Sequence, residues 1–250
     1  MKKLFKSIIN MLGYNLTRLD KDGFPVEANN NDKRIRAVVR PYTMTSDQRL
    51  WALLSAVKYI TKNSINGDFV ECGVWRGGSA MAMALQLIDL SITNRRIWLY
   101  DTFSGMTEPS RKDIETHSGI PAKQVLASTK RIPGNNVWCI SEKEEVIENL
   151  KSTGYPFGMF RIVVGDILET LDTHVPDQIA LLRLDTDWYE STIKELEILY
   201  PRLITGGVCI IDDYGHWSGA RSAVDEYFEK NNINVLMHYI DNTGRMFIKI

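Results

Sequence analysis

The chain has 250 residues, with 30 Lys and Arg against 31 Asp and Glu, for a net charge of −1. That length allows one α/β domain with additions and a sizeable core, and the balanced charge excludes a broad basic surface for nucleic acid. Three widely spaced cysteines, Cys72, Cys139 and Cys209, form neither a disulfide framework nor a zinc pattern and suit a reducing cytoplasm, the location expected for this chain.

At the N-terminus Leu4, Phe5, Ile8, Ile9 and Leu12 share one helical face, with Lys2, Lys3 and Lys6 nearby. Such a face suits peripheral membrane contact. Amphipathicity reports only that one side is covered, so packing on the domain or on a second subunit of a homo-oligomer is the simpler reading. The segment lacks the long apolar region and cleavage site of a secretory signal, and no apolar run reaches transmembrane length. Residues 13–40 are polar and rich in turn formers, from Asp22-Gly23 to Asn29-Asn30-Asn31-Asp32, and read as a loop or lid. The chain thus divides into an N-terminal extension, residues 1–45, and a domain spanning 46–250.

A helix is expected to start at Ser46 or Asp47 and run to position 62, its apolar face carrying Leu50, Leu53, Leu54 and Val57. A first strand over 67–74, a helix over 78–90 and a second strand over 96–100 follow. Residues 103–135 form an insertion of scattered Pro, Gly and charge, and long loops are often functional. A helix over 141–151 opens with Ser141 and Glu144 at capping-box spacing. Then come strand 160–164, short helix 167–172, strand 179–184, helix 191–200, strand 207–211 and helix 219–230. Two last strands, 234–240 and 245–250, flank Asp241-Asn242-Thr243-Gly244, a hairpin signal. This alternation predicts a doubly wound α/β sheet with an antiparallel terminal hairpin.

Acids stand at or near strand ends throughout: Glu71, Asp101, Asp166, Asp185 and the pair Asp212-Asp213. In such a sheet the ligand lies across the carboxyl ends of the strands. Six acids there point to a cationic ligand, a polyhydroxyl ligand or a metal ion. Gly73, Gly77 and Gly78 let a ligand approach the backbone, but they do not match the dinucleotide fingerprint and serve equally as a tight connection. Asp101 is placed to accept from a ribose, a device of nicotinamide and S-adenosylmethionine enzymes alike. Asp185, Asp212 and Asp213 are hard oxygen donors that suit Mg²⁺. A transferase acting on a hydroxyl needs such a cluster, and a hydride-transfer enzyme has no general need for one. Asp213 could instead cap the helix after it, and Asp187, on the same strand face as Asp185, could take Asp185's place. His216 reads either as a second base or as a structural residue.

The segments Tyr42-Thr43-Met44, 68–78, 100–105, 164–171, 182–192 and 206–214 resemble the macrocin O-methyltransferase family, over roughly residues 40–230. The most specific parts are Glu71-Cys72-Gly73-Val74-Trp75-Arg76-Gly77-Gly78 and Asp212-Asp213-Tyr214. The resemblance implies a seven-stranded Rossmann-like class I methyltransferase domain. It further implies an S-adenosylmethionine- and Mg²⁺-dependent enzyme that methylates a sugar hydroxyl of a glycoconjugate, polysaccharide or secondary metabolite. Carried over, Thr43 and Met44 cover the methionine end of the cofactor, and Glu71, Gly73 and Ser79 line its amino-acid part. Asp101 binds the ribose; Asp166, Ile167 and Ser141 contact the adenine. Asp185, Asp212 and Asp213 hold the metal, with Asp185 as the best base. His117, in the insertion, stands near where the family places an active-site histidine. The rival readings are a catechol-type O-methyltransferase, a non-catalytic cofactor-binding protein and a nicotinamide oxidoreductase.

Overall fold

The computed structural model describes residues 24–250 together with Met11; the amphipathic face at positions 4–12 lies almost wholly outside the described residues. Asn29 caps α1 (Asn30–Val39) by accepting from the Asp32 amide, while the Asp32 carboxylate accepts from the Asn29 amide. This corrects the loop-or-lid reading of 13–40 over its described part. Ile35 and Val39, one helical turn apart, are fully buried, so the polar turn formers at 29–32 are a helix start and not a flexible run. Ser46 caps α2 (Asp47–Lys62), whose Leu50, Leu53, Leu54, Val57 and Ile60 face the core.

The remaining elements are β1 (Asp68–Cys72), α3 (Gly78–Asp89), β2 (Ile97–Asp101), α4 (Ala122–Ser128), α5 (Lys143–Ser152), β3 (Phe160–Val164), α6 (Ile167–Thr170), β4 (Ile179–Leu184), α7 (Tyr189–Leu199), β5 (Leu203–Ile211), α8 (Ser218–Lys230), β6 (His238–Tyr239) and β7 (Arg245–Ile248). They build one seven-stranded sheet in the order β3-β2-β1-β4-β5-β7-β6. The first five strands are parallel, and β7 runs antiparallel to β5 and to β6. The side chains of α1, α2, α3 and α5 pack on one face of the sheet and those of α6, α7 and α8 on the other. Burial on both faces explains why β4 reads as an apolar run without alternation.

Three details differ from the sequence reading. β6 is two residues long: Ile233, Val235 and Met237 pack against the core, Leu236 between them is almost fully exposed, and only His238 and Tyr239 pair with β7. α5 begins at Lys143 after Glu142, without a side-chain cap, and the Ser141 hydroxyl donates to Glu145 instead. The 103–135 insertion contains α4 and a small apolar cluster with Trp188 and Trp217, so it is packed structure.

The order of strands reverses between β1 and β4, the switch point at which doubly wound sheets bind ligands. Two glycines fit the backbone there. Gly73 has φ 84, and a Cβ on it would stand 1.9 Å from the Asp185 carbonyl oxygen. A Cβ on Gly78 would meet the Tyr42 carbonyl at 2.5 Å, so this glycine lets the strap before α2 lie over the start of α3. No described helix is long and apolar enough to cross a membrane.

Candidate active site

A cavity of about 460 Å³ opens at the switch point. One half is built by the turn after β1 and by the ends of β2 and β3. It brings together Thr43, Met44, Glu71, Gly73, Ser79, Asp101, Asp166 and Ile167. Ser141, expected beside the adenine, is not among the lining residues. It is buried and bonded to Glu145.

Asp101 does not stand free at the end of β2. Its carboxylate accepts from the amides of Val74 at 2.7 Å, Trp75 at 3.0 Å and Phe103 at 2.7 Å. A carboxylate offers about four lone-pair sites, so the acid mainly ties down the turn and has about one site left over. Asp166 likewise spends one oxygen on the Leu168 amide at the start of α6. Glu71 lies inside β1 rather than at its end. It is 1% exposed, one oxygen accepts from Arg183, and the other is buried without a partner. Burial pushes its carboxyl up to about 7 against the pull of Arg183.

The other half of the cavity holds the remaining acids. Asp185 and Asp212 follow the parallel neighbours β4 and β5, and Asp213 comes next in the chain. One oxygen from each of Asp185, Asp212 and Asp213 lies within 4.8 Å of the others, and Asp187, Asp213 and His216 form a second such group. Asp213 does not cap α8, whose cap position is Trp217; its own Oδ2 is buried and unpartnered. Burial raises the carboxyls of Asp185 and Asp213 well above the usual range and that of Asp187 to about 7. Asp212 goes the other way: burial opposes ionisation, but Arg183 and Arg49 outweigh it.

Both guanidinium groups escaped the sequence reading. Arg183, 2% exposed, donates to Glu71 at 2.8 Å, Asp185 at 2.5 Å, Asp212 at 2.7 Å and the Thr45 hydroxyl at 3.0 Å. Arg49 joins Asp212 to Asp241 in the terminal hairpin. The available signal was a lone charge inside the apolar strand 179–184, two residues before Asp185 and hence on the same face. Five cavity acids (Glu71, Asp185, Asp187, Asp212 and Asp213) and Asp241 beside them thus share two cations, an excess of four negative charges when all are ionised. An all-oxygen donor set with that excess and an orphaned buried carboxylate oxygen fits a hard divalent cation.

The insertion supplies the wall facing the acids, with Met106, Thr107, Glu115 and Val125 lining it. The insertion is pinned to both acid-bearing loops. Buried Asp113 accepts from the Tyr189 amide at the start of α7, and Thr116 donates to the His216 carbonyl. His117 is exposed and does not line the cavity. His216 does; it stacks on Trp217 with ring centroids 4.7 Å apart and lies 3.5 Å from Glu115. Trp217 donates to Asp187 at 2.7 Å. Trp75, Cys139 and Asp187 line the cavity with φ of 46, 49 and 69. Left-handed backbone is costly for side-chain-bearing residues and tends to gather at functional sites.

The family model for Macrocin-O-methyltransferase (TylF) matches residues 7–249. The demethyldecarbamoylnovobiocin O-methyltransferase of Streptomyces niveus is 34% identical over 203 residues, 81% of this chain and 74% of that protein. The 8-demethyl-8-(2,3-dimethoxy-alpha-L-rhamnosyl)-tetracenomycin-C 4'-O-methyltransferase of Streptomyces olivaceus matches to the same extent. The solved structure of the O-methyltransferase NovP superposes with a TM-score of 0.71 at 26% identity, covering 100% of this chain and 99% of that one.

Proposed function

The chain belongs to the macrocin O-methyltransferase family and is an S-adenosylmethionine-dependent O-methyltransferase; we propose that it methylates a sugar hydroxyl flanked by a second oxygen, with Asp185, Asp212 and Asp213 as ligands of a divalent cation. The observation that carries this reading is the convergence of those three carboxylates within 4.8 Å in the cavity that also holds Glu71, Gly73 and Asp101. The sugar as acceptor is supported by the Streptomyces olivaceus relative, whose name carries a dimethoxyrhamnosyl group.

S-Adenosylmethionine supplies a methyl group on a sulfonium, and a divalent cation, when bound, lowers the pKa of the acceptor hydroxyl and fixes it beside its neighbour. Thr43 and Met44 would cover the methionyl end, and the partnerless oxygen of Glu71 is available to accept from its ammonium group. Asp101, Asp166 and Ile167 line the nucleoside side. The acceptor would sit between the acids and the insertion wall, which would have to hold its oxygen within ~3 Å of the group it attacks.

Burial raises the Asp185 carboxyl in the absence of a cation, but Arg183 already donates to it and a bound cation would engage it further, so it would be held ionised as a ligand rather than left free to take a proton. Asp187 stands outside the Arg183 net, is oriented by Trp217 and sits near neutral pKa, the value that suits a general base. It therefore takes the hydroxyl proton. A catechol has vicinal oxygens too and is the second acceptor class for the same machinery. The five ionisable acids argue against a non-catalytic scaffold. Assembly as a homo-oligomer belongs to the same proposal and is checked by light scattering.

The test is turnover on paired acceptors with vicinal or isolated hydroxyls, in Mg²⁺ and in EDTA. Methylation of the vicinal members only, abolished by EDTA and restored by Mg²⁺, is expected. Full turnover in chelator would remove the cation from the mechanism, and S-adenosylhomocysteine failing to bind in calorimetry would remove the cofactor site.

A further inference from the structure

Arg183 connects parts of the cavity that the sequence keeps apart. Its fork spans the sheet from Glu71 in β1 to Asp212 after β5, with Asp185 between them and Thr45 above. Cross-strand register accounts for the reach: Glu71 pairs with Arg183 across β1 and β4, and Arg183 pairs with Ile210 across β4 and β5. Glu71 and Thr45 belong to the cofactor half, Asp185 and Asp212 to the acid half. Among these four partners three are carboxylates, and each has an oxygen within 2.8 Å of the guanidinium. Arg49, the other cation, contacts Asp212 but makes no bond to Glu71 or to the 43–45 strap.

Like charges at such spacing cannot all stay ionised in a buried site without a counter-ion. We propose that Arg183 is a positioning residue: an internal counter-ion that keeps Glu71 and the Thr43–Thr45 strap in cofactor-binding form whether or not the divalent cation is present. The proposal rests on the placement of cofactor and cation given above. Its consequence is that the cofactor site stands assembled before the cation arrives. Without Arg183, Arg49 still reaches Asp212, but the cation becomes the main means of offsetting Asp185 and Asp212 together, and in its absence Glu71 takes up a proton and stops accepting from the cofactor's ammonium. Cofactor binding, indifferent to the cation in the native protein, becomes dependent on it.

Calorimetry with S-adenosylhomocysteine, in Mg²⁺ and in EDTA, reads this directly and needs no acceptor. The native protein should give Kd values within about twofold of each other. Arg183→Gln should bind at least about tenfold more weakly in EDTA than in Mg²⁺, since one uncompensated carboxylate neighbour is worth that much even at the effective dielectric of a protein site. A merely structural arginine would lower affinity equally in both buffers, and that result overturns the proposal. So does a native Kd that already shifts tenfold with Mg²⁺. If Arg183→Gln does not fold, Arg183→Lys serves. An ammonium cannot fork to three carboxylates, so a ratio of about threefold or more is expected, and a ratio of one overturns the idea. Should the native protein bind no S-adenosylhomocysteine in either buffer, the fault lies with the cofactor site and not with Arg183.

Discussion

Asp187→Asn separates the base from the ligands. Asparagine keeps the shape, and its amide oxygen can still accept from Trp217 Nε1, which now lies 2.7 Å from the carboxylate. The fold and the stacked His216–Trp217 pair should therefore survive. What is lost is a proton acceptor whose carboxyl is pushed up to about 7 by burial and by Asp185. General-base catalysis contributes ~10²–10⁴-fold, which at 1.36 kcal/mol per tenfold is ~2.7–5.4 kcal/mol of transition-state stabilisation. That loss should fall on kcat, with the KM for S-adenosylmethionine nearly unchanged. The native acid limb of the pH–rate profile, centred near the base's own pKa, should vanish in the variant. The assay is single-turnover formation of S-adenosylhomocysteine in saturating Mg²⁺, with any acceptor the native protein methylates, alongside Mg²⁺ affinity measured separately. Asp185→Asn, run in parallel, should weaken Mg²⁺ binding. If Asp187→Asn keeps kcat while Asp185→Asn loses it at saturating Mg²⁺, Asp185 is the base. If Asp187→Asn weakens Mg²⁺ binding in step with kcat, Asp187 belongs with Asp213 and His216 as a ligand.

Further outcomes follow from the same geometry. Metal-free stability should fall as pH rises. Glu71, Asp187 and Glu195 are raised in the folded protein from ordinary values of 4.5, 3.8 and 4.5 to about 7, 7 and 8, so the stability they lend is full below the lower values and lost on passing the higher ones. Melting scans in EDTA between about pH 5 and about pH 8 check this, with Mg²⁺ recovering part of the loss at the alkaline end; a melting temperature that climbs with pH refutes it. Asp101→Ala strips three backbone amides of an ionised acceptor, each bond worth ~1.5–3 kcal/mol before water replaces it, so denaturation should show a loss of at least about 3 kcal/mol. An Asp101→Ala protein of native stability but poor S-adenosylhomocysteine affinity would instead give the carboxylate to the ribose. Gly73→Ala drives a methyl group into the Asp185 carbonyl and should cost about 3 kcal/mol or more along with Mg²⁺ affinity, whereas Gly77→Ala, 3.3 Å from the Val146 side chain, should cost less: its backbone strain and a small shift of Val146.

Much of the fold was legible because it rests on local rules. A buried parallel strand is a near-continuous apolar run, and strand 179–184, apolar but for Arg183, stops where the run stops. The start of α2 was written in the pair Ser46 and Asp47, and Ser46 is the cap, its hydroxyl accepting from the Arg49 amide. The polar stretch at 29–32 misled for the opposite reason: Asn and Asp cap helices as readily as they make turns, and only the burial of Ile35 and Val39 decides between them. The stretch 234–240 promised a strand before the 241–244 turn, but only His238 and Tyr239 of it pair, with β7.

The sequence by itself determined which acids reach the carboxyl edge of the sheet, because a strand end is a matter of local pattern and the edge that binds ligands is a matter of topology. It could not say which carboxylates stay free once the chain is folded. Asp101 turned out to be occupied by amides brought from β1 and from its own loop, since parallel strands set side by side align their terminal groups. His117 was placed by the path of the insertion, and that path is fixed by bonds between 113–118 and residues about a hundred positions later. Arg183 gained its meaning only from its two neighbouring strands. A charge inside an apolar strand is a defect when read along the chain, and it becomes the centre of the site when Glu71 and Asp212 arrive on either side, because burial makes each of the three depend on the others for its charge.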